Sequence, residues 1–310
     1  MGKLYGGSLL RVDLSKEEIR KTPTAEYADL WLGGRGLNTR ILYEETDQNT
    51  DPLGPDNVIL FSIGPFTGTM VPGSGRVEIA AKSPVSGIQG MSNMGGYWGP
   101  ELKYAGYDSV IVKGCADRLV YISINNDKVE IRDAAHLAGL DTYQTQDAIR
   151  EELNDPEVEV VCIGPAGENK IAYASVHTRL GNAAGRTGMG TVMGAKNLKA
   201  VAVRGTKGVQ LDDPDRFLEL CLEAMAVQKP LIGMAKTTDL LANDPPTWGL
   251  VLGNYEATEW VKQKELRGGH KPYWERHKNR QGHGIAGCFN CQVRCMDYYD
   301  HAEQGPMVAS

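Results

Sequence analysis

The first two-thirds of the chain consist of short apolar segments separated by glycine and proline, and this pattern restricts the fold more than any other feature. Leu9–Leu14 alternates apolar and polar residues, as a half-buried strand does. Further strands are predicted at Val58–Ile63, Arg76–Ala81, Ser109–Lys113, Val120–Ile124, Val129–Arg132, Val158–Ile163, Ile171–Val176 and Leu198–Val203. The pattern therefore predicts a β-rich domain.

Helices are expected at three places between these strands: Glu26–Leu32, Pro100–Tyr104 and Thr142–Leu153. Asp141 is the predicted N-cap of the last of them, because its carboxylate can accept hydrogen bonds from the first free amides. The three strands between residues 109 and 132 are predicted to form a meander. Asn125–Lys128 would supply the hairpin turn between the last two.

The character of the sequence changes near residue 210. Asp212–Asp215 has the acidic first turn of a helix, and apolar residues at helical spacing follow it. We therefore predict the α+β class. Residues 1–210 would form a β-rich domain, and residues 211–310 would form part of a mostly helical domain.

Composition limits the classes of function. The net charge of −6 argues against a nucleic-acid surface, which needs a basic stripe. The sequence contains no apolar run long enough to cross a bilayer, and its first residues lack the layout of a secretory signal. Six cysteines in 310 residues do not resemble a disulfide framework. These features predict a cytoplasmic protein with neither a membrane span nor a nucleic-acid partner.

Cys288, Cys291 and Cys295 form a Cys-x2-Cys-x3-Cys motif. Thiolates this close together suit an iron–sulfur cluster or zinc. Zinc sites more often pair two Cys-x2-Cys knuckles, and the sequence has no second one. The motif therefore favours a [4Fe–4S] cluster over zinc or free thiols. Five sources stay open for the fourth ligand: Cys115, Cys162, Cys221, a non-cysteine group, or a segment outside this chain.

Three glycine-rich loops are predicted at Gly64–Arg76, Met91–Tyr97 and Gly181–Lys196. Glycine lets the backbone approach an anion closely, and small residues before a helix start let amide N–H groups meet phosphate. None of the three is a P-loop or a dinucleotide fingerprint, and each taken singly is more simply a set of tight turns. Together with the cysteine motif, they favour a bulky anionic cofactor.

The chain resembles the N-terminal half of the tungsten-containing aldehyde ferredoxin oxidoreductase family. The matching stretches are Trp31–Leu37, Gly64–Gly68, Gly75–Arg76, Lys82–Pro84, Asn93–Asp108, Ile163–Asn169, Ala183–Lys199 and the cysteine motif. The resemblance covers essentially the whole chain. It implies a β-rich base for two pterins, which hold tungsten or molybdenum through their dithiolene sulfurs, and mostly helical domains after it.

The resemblance also implies roles for individual residues. The cofactor-binding set would be Arg76, Asn93, Gly95, Asn182, Ala183, Gly185 and Arg186. Asn93 and the Ala183 carbonyl would help to hold Mg²⁺ between the pterin phosphates, and the three cysteines would hold the cluster close to a pterin. At position 182 the family pattern has arginine. Asn182 therefore implies a lost phosphate contact, for which Arg179 or Arg186 would compensate.

The activity implied by the resemblance is oxidation of aldehydes to carboxylic acids, with electrons leaving through the cluster to ferredoxin or an iron–sulfur subunit. The expected partners are thus an electron carrier, a small-molecule substrate and a second copy in a homodimer. Two alternatives stay open: a relative that acts on aromatic acyl thioesters with partner subunits, and a non-catalytic cofactor-binding remnant. Since family members are longer, the chain is expected to be a fragment, a truncated reading frame or one piece of a split enzyme.

His136, Glu168 and His177 are the remaining groups that could carry protons. Each is more simply a surface or hydrogen-bonded residue, because such groups are common outside active sites. The sequence therefore assigns no catalytic residue.

Overall fold

The computed structural model describes residues 3–236, 282–292, 296–301 and 305–309. The chain divides into two compact units: Met1–Phe217 with Cys288–Asn290, and Leu218–Gly287 with Cys291–Ser310. The first unit contains both β-strands and α-helices, which confirms the predicted α+β class. The domain boundary near residue 210 and the helical character of residues 211–310 stay predictions.

The first sheet contains six strands: β1 (Ser8–Asp13), β2 (Glu18–Pro23), β3 (Ile59–Ile63), β4 (Val77–Lys82), β5 (Gln89–Met94) and β6 (Tyr107–Lys113). Their order is β2-β1-β6-β3-β4-β5. Only β1 and β6 run parallel to each other; the other neighbours are antiparallel. The sheet is therefore mixed.

The second sheet also contains six strands: β7 (Val120–Asn125), β8 (Lys128–Asp133), β9 (Glu159–Cys162), β10 (Val176–His177), β11 (Ala183–Ala184) and β12 (Leu198–Arg204). Their order is β11-β10-β9-β12-β7-β8, with β12 and β7 parallel. The hairpin predicted for β7 and β8 is confirmed.

The α-helices among the described residues are α1 (Ala25–Trp31), α2 (Gly34–Glu45), α3 (Trp98–Ala105), α4 (Thr142–Leu153), α5 (Pro165–Glu168), α6 (Met189–Ala195) and α7 (Pro214–Lys236). Asp141 caps α4 as predicted: its carboxylate accepts from the amides of Tyr143 and Gln144, and the Gln144 side chain accepts from the Asp141 amide. This reciprocal arrangement is a capping box.

The main core of the first unit contains buried residues from both sheets and from α3 and α6. Trp98 of α3 is completely buried there, and its Nε1–H donates to the carbonyl of Val201 on β12 at 2.9 Å. Side chains of a strand alternate between two faces, so Leu10 lies in this core whereas Leu9 packs on the opposite face against α2. α4 covers the outer face of the second sheet in the same way.

Three local predictions are wrong. The strand β6 pairs with β1 and β3 in the first sheet, so it is not part of a meander with β7 and β8. Residues 171–175 are not a strand, and only Val176 and His177 pair. The first four residues of the loop predicted at Met91–Tyr97 belong to β5 and pair with β4, whereas Gly95 and Gly96 follow the strand. In the first and third cases, a pairing with another segment of the chain decided what local composition could not.

The described part of the second unit contains α7 from Leu218 onward and a three-stranded antiparallel sheet. Its strands are β13 (Gly282–Ala286), β14 (Met296–His301) and β15 (Gly305–Ala309). Among the described helices, none is both long and apolar enough to cross a bilayer.

Candidate functional site

One end of the first sheet opens into a cleft of about 580 Å³. At this end, called the site end below, β3 and β5 finish and β4 begins. Arg76 precedes β4 and Asn93 lies on β5, and Arg76 Nη1 donates to Asn93 Oδ1 at 3.0 Å. Both side chains line the cleft and are exposed to solvent. The structure thus brings together two predicted site residues from different loops.

The start of α2 also lines this cleft, which the sequence analysis did not predict. Arg35, in the first turn, donates to Glu78 Oε1 from both Nε and Nη2, at 3.3 and 3.2 Å. No side chain caps the N-terminus of α2. A β-carbon on Gly33 would lie 2.7 Å from the carbonyl oxygen of Ile63, so only glycine lets α2 start against the end of β3. The run Gly33–Gly36 was the available signal.

Buried polar groups fix the wall of the cleft. Asn38 of α2 donates to the carbonyl of Glu78 at 3.0 Å, and its Oδ1 accepts from Ser62 Oγ. Ser62 also shares a hydrogen bond with Ser109 at 2.6 Å. All three polar side chains are fully buried. Because a satisfied buried network is rigid, it holds α2, β3, β4 and β6 in register around the site.

Cys288 packs against the site end of the sheet, just beyond β5. Its Sγ occupies the place that a β-carbon on Gly95 would need. The same sulfur lies 3.3 Å from Oδ1 of Asn182, to which the thiol donates. Three predicted site residues, from the second loop, the third loop and the cysteine motif, therefore meet at one point.

The residues after Cys288 fasten this segment to the first two loops. The amide of Phe289 donates to the carbonyl of Gly96 at 3.2 Å, and the carbonyl of Asn290 accepts from the amide of Gly73 at 2.9 Å. Asn290 Nδ2 donates to the carbonyl of Met70 at 2.6 Å. These contacts join positions that are far apart in the sequence, and they set where Cys288 stands relative to Arg76.

The third loop runs beside β5. The amide of Arg186 donates to Ser92 Oγ at 3.1 Å, and the carbonyl of Thr187 accepts from Ser83 Oγ at 2.8 Å. Ala183, Gly185 and Arg186 are exposed. The three glycine-rich segments thus converge, whereas the binding of phosphate by these residues stays a prediction.

Arg179, proposed above to replace a phosphate contact, binds other groups of the protein. Its guanidinium pairs with Glu159 at 3.2 Å and also donates to the carbonyl of Pro156. Burial raises the pKa of Glu159 to about 7, although Arg179 and Arg150 act in the opposite direction. Desolvation prevails because Glu159 Oε2 is buried without a hydrogen-bond partner among the described residues. Of the two arginines proposed to compensate, Arg186 alone is exposed beside β5.

The structure removes two of the sources considered for a fourth cluster ligand. Cys115 follows β6. The C-terminal end of β6 lies at the end of the first sheet opposite the site end, so the length of the strand, about 20 Å, separates Cys115 from Cys288. Cys162 is fully buried under α4, and burial raises the pKa of its thiol to about 12. Cys221 belongs to the second unit. Cys291 is a free, half-buried thiol, and Cys295 lies outside the described residues.

The residues weighed as proton carriers are held by neighbours. Glu168 pairs with the buried ammonium of Lys199 and accepts from the amide of Gly139. His136 lies 3.2 Å from Glu152, away from the cleft lining. His177 Nε2 shares a 2.6 Å hydrogen bond with Ser175, and burial lowers the pKa of His177. These contacts agree with structural roles.

The residues present fit a large anionic cofactor beside a thiolate-held metal group. Arg76 supplies exposed positive charge at the site end, Arg186 is exposed beside β5, and Gly95 leaves room for Cys288 just beyond β5. Thr178, whose methyl group lies near Gly96, adds a buried hydroxyl that lacks a hydrogen-bond partner within the described residues. A native structure rarely leaves such a hydroxyl unsatisfied, so its presence here agrees with a bound group or water.

Residues 9–205 match the family model described as the N-terminal domain of aldehyde ferredoxin oxidoreductase. The chain is 47% identical over 220 residues to the tungsten-containing aldehyde ferredoxin oxidoreductase of Pyrococcus horikoshii, which covers 71% of this chain and 36% of that protein. It is 41% identical over 219 residues to the WOR-like subunit of the aliphatic sulfonate oxidoreductase of Pyrococcus furiosus, covering 65% and 35%. The chain therefore spans about a third of the length of these curated relatives.

A solved structure is similar as well. It is the active-site complex BamBC of benzoyl coenzyme A reductase in complex with 1,5-dienoyl-CoA. The TM-score is 0.86 and the sequence identity is 32%, and the match covers 100% of this chain and 49% of that chain. The fold of this chain therefore recurs in an enzyme that is named for a different substrate from that of the aldehyde-oxidising relatives.

Proposed function

Because this chain belongs to the aldehyde ferredoxin oxidoreductase family, through that family's N-terminal domain, we propose that it forms the cofactor base of a tungsten or molybdenum bis-pterin oxidoreductase. The observation that carries the proposal is the position of Cys288 against Gly95, at the end of the sheet where Arg76 meets Asn93. A predicted cluster ligand and the predicted phosphate loops thus lie at one end of the first unit.

In this proposal the exposed charges hold the pterin phosphates. Arg76 binds them from one side and Arg186 from the other, while Asn93 and the Ala183 carbonyl hold Mg²⁺ between them. Gly185 leaves open space at the backbone near the cofactor, and Gly95 and Asn182 border the cofactor from beside Cys288. Guanidinium groups suit this role because their planar set of donors matches phosphate oxygens.

Cys288, Cys291 and Cys295 hold a [4Fe–4S] cluster in the same proposal. The fourth ligand then comes from a residue other than Cys115 or Cys162, which the fold keeps away from Cys288. When bound, the metal centre supplies the two-electron oxidation of the substrate and the cluster carries the electrons away singly. The chain's own part is to hold both groups at one end of a rigid sheet.

The substrate and partners of the whole protein are part of the proposal. We favour oxidation of an aldehyde to a carboxylic acid, with ferredoxin or an iron–sulfur subunit as electron acceptor, in the cytoplasm of an anaerobe. The second candidate is an aromatic acyl thioester, and the likeness to the benzoyl coenzyme A reductase complex supports it. Turnover assays with aldehydes against acyl thioesters, with any partner subunits present, distinguish the two.

Metal analysis tests the proposal most directly. Protein that is purified without oxygen should contain tungsten or molybdenum together with iron and acid-labile sulfide. Zinc as the sole bound metal would refute the cluster, and the absence of tungsten and molybdenum from iron-loaded protein would refute the pterin centre. Cys291→Ala should bleach the cluster absorbance and leave the pterin content unchanged.

A further inference from the structure

Asn182 belongs to the cofactor-binding set predicted above, but its side chain faces the cysteine motif. Its Oδ1 lies 3.3 Å from Cys288 Sγ. Its Nδ2 donates to the carbonyl of Arg179 at 3.1 Å, which fixes the plane of the amide. The main chain adds a further anchor, because the carbonyl of Asn182 accepts from the amide of Thr178 at 3.0 Å. The residue is therefore held at both its backbone and its amide.

The anchoring continues into the core of the second sheet. The Arg179 carbonyl accepts the hydrogen bond from Asn182 Nδ2, and the Arg179 guanidinium pairs with the buried carboxylate of Glu159 on β9. Gly95 adjoins both groups, because Asn182 Oδ1 and Cys288 Sγ would each crowd a β-carbon at this position. The Cys288 side chain thus contacts a glycine that directly follows β5 and an amide that is anchored to the second sheet.

We propose that Asn182 is a positioning residue for the Cys288 sulfur, and that its amide sets the environment of the metal group which this sulfur holds. This inference rests on the proposed cluster and deepens it. The residues around a metal ligand orient it and tune the reduction potential of the group. A cysteine that binds metal is a thiolate and no longer donates to Oδ1, so in the loaded protein the amide acts on the metal group through its fixed dipole and its packing.

The first test needs no bound cluster. In protein freed of metal by a chelator, the rate at which iodoacetamide alkylates Cys288 is followed by peptide mass spectrometry, with Cys291 as the internal reference. Asn182→Ala should raise the Cys288 rate by about fivefold, the factor for losing one hydrogen bond. The control is Asn169→Ala, whose amide donates to the Pro165 carbonyl of α5, and it should leave the rate unchanged. An unchanged rate in Asn182→Ala overturns the proposal.

The second test measures the reduction equilibrium of the cluster. An added charge shifts this equilibrium in a defined direction, whereas a loss of packing does not. Asn182→Asp keeps the shape of the side chain and adds a negative charge beside the sulfur. In anaerobically reconstituted protein, the reduction equilibrium of the cluster should shift by about tenfold toward the oxidised form, which is about 59 mV for one electron. A shift of the same size in Asn169→Asp, or none in Asn182→Asp, contradicts the proposal.

The two tests also separate this inference from the proposed function. If neither wild type nor variants bind iron and sulfide, the cluster proposal fails. The alkylation experiment then still decides whether Asn182 positions Cys288.

Discussion

Arg76 Nη1 donates to Asn93 Oδ1 at 3.0 Å, at the site end of the antiparallel strands β4 and β5, and both side chains are exposed to solvent. An exposed hydrogen bond of this kind contributes little to stability because water competes for both groups. Its significance is geometric, since it holds a guanidinium and an amide oxygen side by side at the wall of the cleft.

Arg76→Ala should therefore lower cofactor retention without unfolding the domain. Loss of a charge-assisted contact of about 1.5–3 kcal/mol predicts a ten- to hundredfold weaker hold on the cofactor. Pterin released from purified protein and measured by fluorescence reports retention, and circular dichroism reports folding. Arg20→Ala is the matched control, because Arg20 is an exposed arginine of β2. Equal pterin content in the two variants would refute a phosphate-binding role for Arg76.

Gly95→Ala should displace Cys288. A β-carbon at this position would overlap Cys288 Sγ and crowd Asn182, and forcing atoms into a packed site costs about 1–3 kcal/mol. We expect a lower free energy of unfolding in urea, together with a lower iron content per chain. Gly208→Ala is the control, since nothing lies within 4 Å of its new methyl group. Wild-type stability in Gly95→Ala would show that the packing around Cys288 is looser than described.

Glu159 predicts a pH dependence of stability. Burial raises its pKa from 4.5 in the unfolded chain to about 7 in the fold, so the folded state binds the proton more tightly. The contribution of Glu159 to the free energy of unfolding is complete below pH 4.5. It decreases by about 3 kcal/mol as the pH rises through 7. Glu159→Gln should remove this loss. The difference in free energy of unfolding between variant and wild type should thus increase, in favour of the variant, from pH 4.5 to 7.5.

Urea titrations across this pH range measure the difference. Glu157→Gln serves as the control because Glu157 is exposed two residues away. A pH-independent difference for Glu159→Gln would mean that Glu159 remains ionised in the fold through its pairing with Arg179.

Lys103→Met should destabilise the first unit strongly. Lys103 and Asp108 form a buried ion pair at 2.6 Å, and Asp108 also accepts from the amides of Gly6 and Gly7. Removing one partner leaves a buried charge, which costs about 3–5 kcal/mol. Lys113→Met is the control, because Lys113 pairs with Asp56 on the surface at 3.8 Å and should change stability by less than about 0.5 kcal/mol. Thermal unfolding of both variants separates the two cases.

Local patterns in the sequence determined much of the first unit. Period-two alternation placed β1, the Asn125–Lys128 turn joined β7 to β8, and Asp141 marked the start of α4, each within the range that neighbouring residues control. The spacing of the cysteines identified a thiolate site before any fold was known. These features depend on residues that are close along the chain, and their physics can be evaluated there.

Only the tertiary structure decided which of these pieces meet. The pairing of β6 with β1 and β3, the approach of Asn182 to Cys288 and the separation of Cys115 from Cys288 all concern positions that are about fifty or more residues apart. Such pairings depend on the summed burial of whole faces, which no single segment encodes. The ion pair between Arg179 and Glu159 likewise could not be inferred from the sequence, because it depends on the burial of Glu159 in the fold. The sequence named the chemical groups, and the fold determined their partners, because a contact between distant segments exists only after both have packed into the same core.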